Sequence, residues 1–278
     1  MAWDFIKLVK GDNAVSQIGN FGFFKLAVES SSGGGELTFS RTFSENTPEQ
    51  ISAVSALISA NNMTSAQVAE TYGWNMGDTI SYQLTNGENI EMRIIGFNHD
   101  DKSDGSGKAG ITLGMTHCLA TLYPMNNTAT NAGGYASSVM KTSTLPTIKL
   151  TLPQEWQNVI KFVNKKSANG GNVNYSETLT LSEDLFLFAE IEIFGTTSNA
   201  QDGANEGSVY EYWNDKTAAD RIKKYDTNAD GVADTTTAWC LRSARSTRNG
   251  NFCWVNANGG STSGLANYSR GVSFAFCI

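Results

Sequence analysis

Histidine is nearly missing from this chain: His99 and His117 are the two among 278 residues. A catalytic pair built on histidine would use almost all of that supply, and Cys118, next to His117, would face the opposite side of a strand. Cysteine is scarce too, since Cys118, Cys240, Cys253 and Cys277 are too few and too scattered for a disulfide framework. No CxxC pair occurs, which disfavours a zinc site. Two readings of the late cysteines stay open, a single bridge such as Cys253 to Cys277 or buried free thiols. Positive charge is also short. With 20 Lys and Arg against 27 Asp and Glu, a net charge of −7 argues against nucleic acid as a partner. No run approaches the ~18 apolar residues of a membrane span, so membrane insertion is not expected. The stretch "MAWDFIKLVKGDNA" lacks the basic start and apolar run of a secretory signal, so export would use a larger particle or another route. GxSxG and HExxH are absent. "GSGK" at 105–108 fails as a phosphate loop, because Lys102 takes the place of its first glycine and Ala109 that of its hydroxyl.

What is present is an ordinary globular composition, 40% hydrophobic and 17% charged, with length enough for one large core or two smaller ones. Residues 1–44 are set apart as an N-terminal attachment or oligomerisation segment, with Ser30 to Gly35 as a loop or hinge. In "TPEQISAVSALISANN", Thr47 and Gln50 form a capping box around Pro48, and Ile51, Val54, Leu57 and Ile58 line one helical face. "TSAQVAETYGW" repeats the pattern with Thr64 and Gln67 and breaks at Gly73. "GDTISYQLTNGENIEMRIIGF" alternates as two strands around a two-residue Asn86-Gly87 turn. "LPQEWQNVIKFVNKK" reads as a helix with Trp156, Val159, Ile160 and Val163 on one face, and "DLFLFAEIEIFG" as a buried strand. Early helices followed by short strands predict an α+β fold for residues 45–278.

Two polar loops carry candidate metal ligands. "HDDKSD", with His99, Asp100, Asp101 and Asp104, is either a cation site or a solvated acidic loop. In "DTNADGVAD", Asp226, Asn228, Asp230, Gly231 and Asp234 fall at positions 1, 3, 5, 6 and 9 of a calcium loop, with the Val232 carbonyl at position 7. Thr237 stands where the bidentate glutamate belongs. Either the loop takes a structural calcium completed from elsewhere, or it is a polar turn. No cofactor is required.

The C-terminal stretch "AWCLRSARSTRNGNFCWVNANGGSTSGLANYSRGVSFAFCI" is the most specific part of the chain. Its frame W-x-LRS, NFC-x-V, GVSFAFC resembles the closing strands of C-type-lectin-like domains of gut bacteria and their phages. Upstream, "GWNMGDTI", "RIIGFNHDD", "YPMNNT", "GGYASSVM" and "EDLFLFAEIEIFG" are similar to the same family, so the resemblance covers residues 45–278. It implies a C-type-lectin-like (formylglycine-generating-enzyme-like) fold with Trp239, Leu241, Phe252, Val255, Val272, Phe274 and Phe276 as scaffold. It also brings the chain close to the variable proteins of diversity-generating retroelements, whose C-terminal region, here about 240–278, is rewritten at adenines of Asn codons. Changes at the adenines of AAY codons never yield Lys, Glu, Gln, Met or Trp. None of these occurs from Ala244 to Asn251 or from Gly260 to Arg270. If they filled about a fifth of positions, such an absence would arise by chance about one time in seventy. Trp254 departs from the pattern.

The resemblance implies a binding protein and not an enzyme. The displayed surface would comprise Arg245, Ser246, Thr247, Arg248, Asn249, Trp254, Asn256, Asn258, Ser261, Thr262, Ser263, Leu265, Asn267, Tyr268 and Arg270, joining aromatic anchors to adaptable polar groups. The ligand would be a bacterial surface protein or glycan, met by a homo-oligomer on a phage tail or at a bacterial cell surface. The alternative is a bacterial surface adhesin with a fixed binding loop. The related formylglycine-generating enzymes need reactive cysteines or copper, for which the chain offers no convincing pair, and the sugar-binding tripeptides EPN and QPD of calcium-dependent lectins are absent.

Overall fold

The computed structural model describes residues 6–7, 14–18, 23–27, 36–171, 177–228 and 230–278, with side chains from residue 38 onward. The hinge expected at 30–35 lies outside the described residues. Four strands, β1 (Ile6–Lys7), β2 (Ala14–Ile18), β3 (Phe23–Ala27) and β4 (Glu36–Ser40), pair in chain order as an antiparallel sheet. The main core begins before residue 45, because Phe39 and Phe43 are buried with Tyr72 and Trp74 in edge-on ring contacts of 5.2 to 6.2 Å.

Helix α1 (Pro48–Ala60) and helix α2 (Ser65–Tyr72) both start with the expected capping boxes, and Gly73 ends α2 at φ +79°. The apolar face Ile51, Val54 and Ile58 of α1 packs on a five-stranded antiparallel sheet. That sheet comprises β5 (Thr79–Gln83), β6 (Asn89–Phe97), β7 (Ile111–Met115), β10 (Leu185–Phe186) and β16 (Ala275–Cys277), ordered β10-β16-β7-β6-β5. The approach is close: a Cβ on Gly110 would lie 1.9 Å from the Ser55 carbonyl oxygen, and the Ser55 hydroxyl donates to the Ile278 carbonyl. Around β16, Phe274, Phe276 and Ile278 enter this core while Ala275 and Cys277 enter a second one on the opposite face. Burial on both faces is why the closing segment reads as a continuous apolar run. Each such large side chain contributes about 1.5–3 kcal/mol.

The second core lies between the five-stranded sheet and a three-stranded antiparallel sheet of β13 (Trp239–Ala244), β14 (Asn251–Val255) and β15 (Ser261–Leu265). Two hairpins, β8 (Val163–Ala168) with β9 (Thr178–Glu183) and β11 (Lys223–Tyr225) with β12 (Thr235–Thr237), complete the strands among the described residues. Short helices α3 (Leu145–Lys149), α4 (Gln154–Val159), α5 (Glu190–Phe194) and α6 (Ala218–Arg221) link them. The class is α+β with antiparallel sheets.

Local expectations fail at four places. Asn86-Gly87 is not a two-residue turn: Gly87 N–H donates to the Leu84 carbonyl at 2.9 Å, and only Gly87, at φ +92°, is left-handed. Thr85 and Asn86 are therefore the central residues, and Gly87 makes the bulge. The helix at 154–163 stops at Val159, because Ile160 turns extended and Lys161 N–H bonds the Cys277 carbonyl at 2.8 Å. Val163 starts β8 instead. "DLFLFAEIEIFG" is strand only at Leu185–Phe186, then becomes helix α5, closed by Gly195 at φ +68°. Ser261–Leu265, a run of small polar residues without a strand's alternation, nonetheless forms the edge strand β15.

The α5 helix exists where a strand was expected because its Glu192 is drawn into a buried ionic network. Lys165 Nζ, on β8, lies 2.7 Å from Asp100 Oδ1 and 2.5 Å from Glu192 Oε1. Arg242 on β13 grips both oxygens of Glu192, at 2.5 and 2.9 Å, and donates to the carbonyls of Leu187, Lys166 and Glu206. Tyr210 and Thr112 hydroxyls donate to Asp100 Oδ2 at 2.9 Å. Burial alone would raise the Asp100 and Glu192 carboxyls. Lys165 and His99 hold Asp100 below the usual carboxylate range, and Arg242 and Lys165 do the same for Glu192. Two carboxylates and two cations cancel. Beside them, burial pushes the Glu206 carboxyl up to about 7.

Replacing Lys165 by Met leaves Asp100 and Glu192 facing one cation, so unfolding in denaturant is expected to show a loss of about 3–5 kcal/mol; a loss under 1 kcal/mol would refute the network's role. Glu206 gives a pH signature. The folded chain keeps its proton between the ordinary value of 4.5 and about 7, whereas the unfolded chain has lost it, so stability falls as pH rises through that window. Glu206→Gln is expected to flatten the decline in Tm from pH 5 to pH 8, and an unchanged slope would count against this assignment.

Candidate functional site

The three-stranded sheet carries the face singled out from the sequence. Along β14, Cys253 and Val255 point into the second core with Trp239 and Leu241, while Phe252 on the alternate face joins Cys240 and Ala244 in the first. The seven residues expected as scaffold, Trp239, Leu241, Phe252, Val255, Val272, Phe274 and Phe276, are all buried. Trp254 faces the same way as Phe252, directly opposite Thr262 of β15. Its ring lies across β15 because residue 264 is glycine: a Cβ there would fall 1.7 Å from Trp254 Cζ2.

The segment at 119–131, which contains "YPMNNT", runs beside this sheet and holds it largely by main-chain atoms. Leu119 N–H donates to the Val272 carbonyl, Tyr123 and Arg270 exchange both of their backbone hydrogen bonds at 3.0 Å, and Asn126 N–H donates to Ala266. Asn131, fully buried, is the anchor. Its N–H donates to the Asn249 carbonyl and its side-chain amide to the carbonyls of Arg248 and Asn251 at 3.1 and 2.8 Å, while its Oδ1 accepts from Gly171 N–H. The β14–β15 turn is closed from within, Asn256 Oδ1 accepting from the Asn258 and Gly260 amides. No side chain from 246 to 249 is needed for any of these bonds.

The predicted surface residues do not form one continuous patch. Arg245, Ser246, Thr247, Arg248 and Asn249 occupy the β13–β14 turn at one end of the strands, and Asn256 and Asn258 the β14–β15 turn at the other. Thr247, Arg248, Asn249, Asn258, Leu265, Asn267 and Tyr268 are exposed, and Arg245, Ser246, Asn256, Thr262, Ser263 and Arg270 are half-buried. Ser261 turns its hydroxyl inward, donating to Glu190 and accepting from Asn199 Nδ2 at 2.7 Å. Trp254 is no exposed anchor either, being 7% exposed beneath the Arg270 guanidinium, which lies 4.0 Å from its ring centroid. At the β14–β15 end, Trp254, Asn256, Thr262, Ser263 and Arg270 line a groove of about 430 Å³ together with Leu122 and Thr236.

A larger cavity, about 680 Å³, lies elsewhere, between the β5–β6 hairpin and the loop after β11, with Glu88, Glu91, His117, Cys118, Asp226 and Val232 on its walls. Burial pushes the Cys118 thiol up to about 12 and lowers His117, so no thiolate is available there. All four cysteines are free and buried, Cys253 and Cys277 included.

In the loop at 226–234, Asp226 accepts from the Asn228 and Gly231 amides at 3.1 and 2.8 Å, and Asp230 accepts from Val232 at 2.9 Å. The donors are the oxygens calcium prefers. Asp234 accepts from its neighbour Thr235. Among the described residues no group of three or more His, Cys, Asp or Glu is gathered to hold a metal. The "HDDKSD" residues diverge: Asp100 is buried on Lys165, His99 stacks on Tyr210 at 4.0 Å, Asp101 pairs with Lys108, and Asp104 caps Ser106. None of the described helices is long and apolar enough to cross a membrane.

The chain belongs to the family described as a domain of unknown function, DUF6273, which matches it over residues 110–278. That span includes the whole of the three-stranded sheet, the 119–131 segment and the ionic network apart from Asp100. No curated protein and no solved structure matches the chain.

Asn131→Ala would remove its amide hydrogen bonds to the Arg248 and Asn251 carbonyls, at about 0.5–1.5 kcal/mol each, and take the acceptor from Gly171 N–H, at about 1–3 kcal/mol. Denaturant unfolding is expected to show a loss of about 2–4 kcal/mol, with hydrogen exchange accelerated at amides 245–251. A loss below 1 kcal/mol would remove Asn131 as the anchor of the turn.

Proposed function

We propose that this protein is a non-catalytic ligand-binding protein, a variable protein of a diversity-generating retroelement with a C-type-lectin-like fold, whose C-terminal face recognises a bacterial surface molecule. One observation carries the reading. The backbone of the rewritten region is fixed by main-chain hydrogen bonds from outside most of it and by Asn131, whereas the exposed side chains of Thr247, Arg248, Asn249, Asn267 and Tyr268 make none of those bonds. A scaffold built this way tolerates sequence change at those positions, which diversification requires. The fold supports the same reading: two early capped helices lie on a sheet closed by the last strand, and a separate three-stranded sheet bears the face. The surroundings of Trp254 fit its departure from the adenine-reachable set, because a ring packed over Gly264 cannot vary freely.

The rest of the reading follows from this one. Several copies, joined through the N-terminal segment, would give avidity on a phage tail or a bacterial cell surface. The 226–234 loop would take a structural calcium, with Asp226, Asn228, Asp230, Asp234 and the Val232 carbonyl as ligands.

The test has two parts. The encoding locus is expected to hold a near-repeat of codons 240 to 278 that differs from them only at adenines, next to a reverse transcriptase. Replacing residues 247–249, 267 and 268 together with other adenine-reachable types is expected to leave Tm within about 2 °C in calcium and in chelator alike, while binding to host bacteria is lost. A fixed locus with binding retained in the replaced protein would overturn the proposal. A fixed locus with binding lost would favour the adhesin with a fixed loop.

A further inference from the structure

The groove beside the β14–β15 turn has a chemical character that the acidic composition of the chain does not suggest. The chain carries a net charge of −7, yet the C-terminal face bears Arg245, Arg248 and Arg270, none of them in an ion pair among the described residues. Arg270 is the one built into the groove. Its guanidinium lies 4.0 Å from the Trp254 ring centroid and 5.6 Å from that of Tyr268, and its backbone is locked to Tyr123 on both sides. Of its five donors, one hydrogen bond is made within the protein, from Nη1 to the Ser269 carbonyl at 2.8 Å.

Two further donors at this place have no acceptor. Arg270 Nε and Trp254 Nε1 are both buried and unpartnered, and Trp254 itself is 7% exposed. Buried donors are nearly always satisfied, so a pair left open beside a groove calls for an acceptor from outside. A stacked guanidinium is a preorganised fork for a planar, charged acceptor such as a carboxylate. The remaining walls are hydroxyl and amide groups, from Thr236, Thr262 and Asn256, suited to a hydroxylated ligand. The size selects further. About 430 Å³ falls in the range of small-molecule sites of roughly 300–1,000 Å³, whereas a protein partner needs a broad face of about 800 Å².

We infer that the groove binds the carboxylate of an acidic sugar, a uronic or sialic acid unit of a bacterial surface glycan, with Arg270 on Trp254 as the charged clamp. This rests on the C-terminal face being a binding surface and adds the class of ligand. Variable side chains on the same face would then select which acidic glycan is held.

The experiment is an array of uronic- and sialic-acid oligosaccharides beside their neutral counterparts, probed with the full chain and followed by calorimetric titration of each hit. Binding is expected to favour the acidic member of a pair by at least about tenfold. Arg270→Lys, which keeps charge but not the fork, should lose about tenfold, and Arg270→Gln more. Thr262→Tyr, which fills the groove from the neighbouring strand with Arg270 intact, should abolish binding with an unchanged Tm, so loss of fold is separable from loss of site. Inorganic phosphate or acetate binding as tightly as the sugar acid would mark an adventitious ion only and overturn the inference, as would an array with no preference for acidic members. Should Arg270→Gln bind host cells at full strength while replacement of the exposed turn residues abolishes binding, the binding face stands and the acidic-sugar site falls.

Discussion

The buried ionic network is the constraint on which the second half of this molecule is assembled. Lys165, Glu192 and Arg242 come from a hairpin, a short helix and the first strand of the three-stranded sheet, and Asp100 from the loop after β6. Each charge is expensive to bury alone, and each is satisfied only when the others arrive. That interdependence sets where β13 sits and which of its sides faces the core. Hydrophobic contact would hold the same elements together with less regard for register, whereas Arg242, spending its donors on Glu192 and three named carbonyls, accepts one arrangement.

From β13 outward the means of support changes. The sheet is paired strand to strand and then strapped by 119–131 through backbone atoms, so the geometry of the C-terminal face depends little on the side chains it displays. Stability is thereby carried mainly by main-chain atoms, and the proposed recognition would fall to the side chains. The exceptions are informative, because they are the residues whose side chains do structural tasks: Asn256 closing its own turn, Ser261 on Glu190 and Asn199, and Trp254 across Gly264. These three positions are the ones least free to change.

Features written in short-range chemistry were legible in the sequence. Both capping boxes, the glycine stop of α2 and the burial of the seven scaffold residues follow from spacing or from the closing motif. The misreadings share a cause, which is tertiary demand overriding local pattern. "DLFLFAEIEIFG" has the composition of a strand, but Glu192 has partners on two other elements and accepts the Ala189 N–H at the helix start. Lys165 was a signal that passed unread, a charged residue at an inward position of an otherwise alternating strand. Asn131 had no signal at all, since an asparagine that collects distant carbonyls looks like any turn residue.

The groove depends on both supports at once, and this is why it lies where it does. Arg270 belongs to the strapped return segment and Trp254 to the middle strand of the sheet, so their stacking distance is fixed by two backbones rather than by either side chain's preference. A rigid pair of this kind binds without first paying to order itself. The exposed side chains of Thr247, Arg248 and Asn249 take no part in holding it. Under the proposed binding role, a rigid centre beside exposed, replaceable side chains would let one surface keep a class of ligand while changing its members.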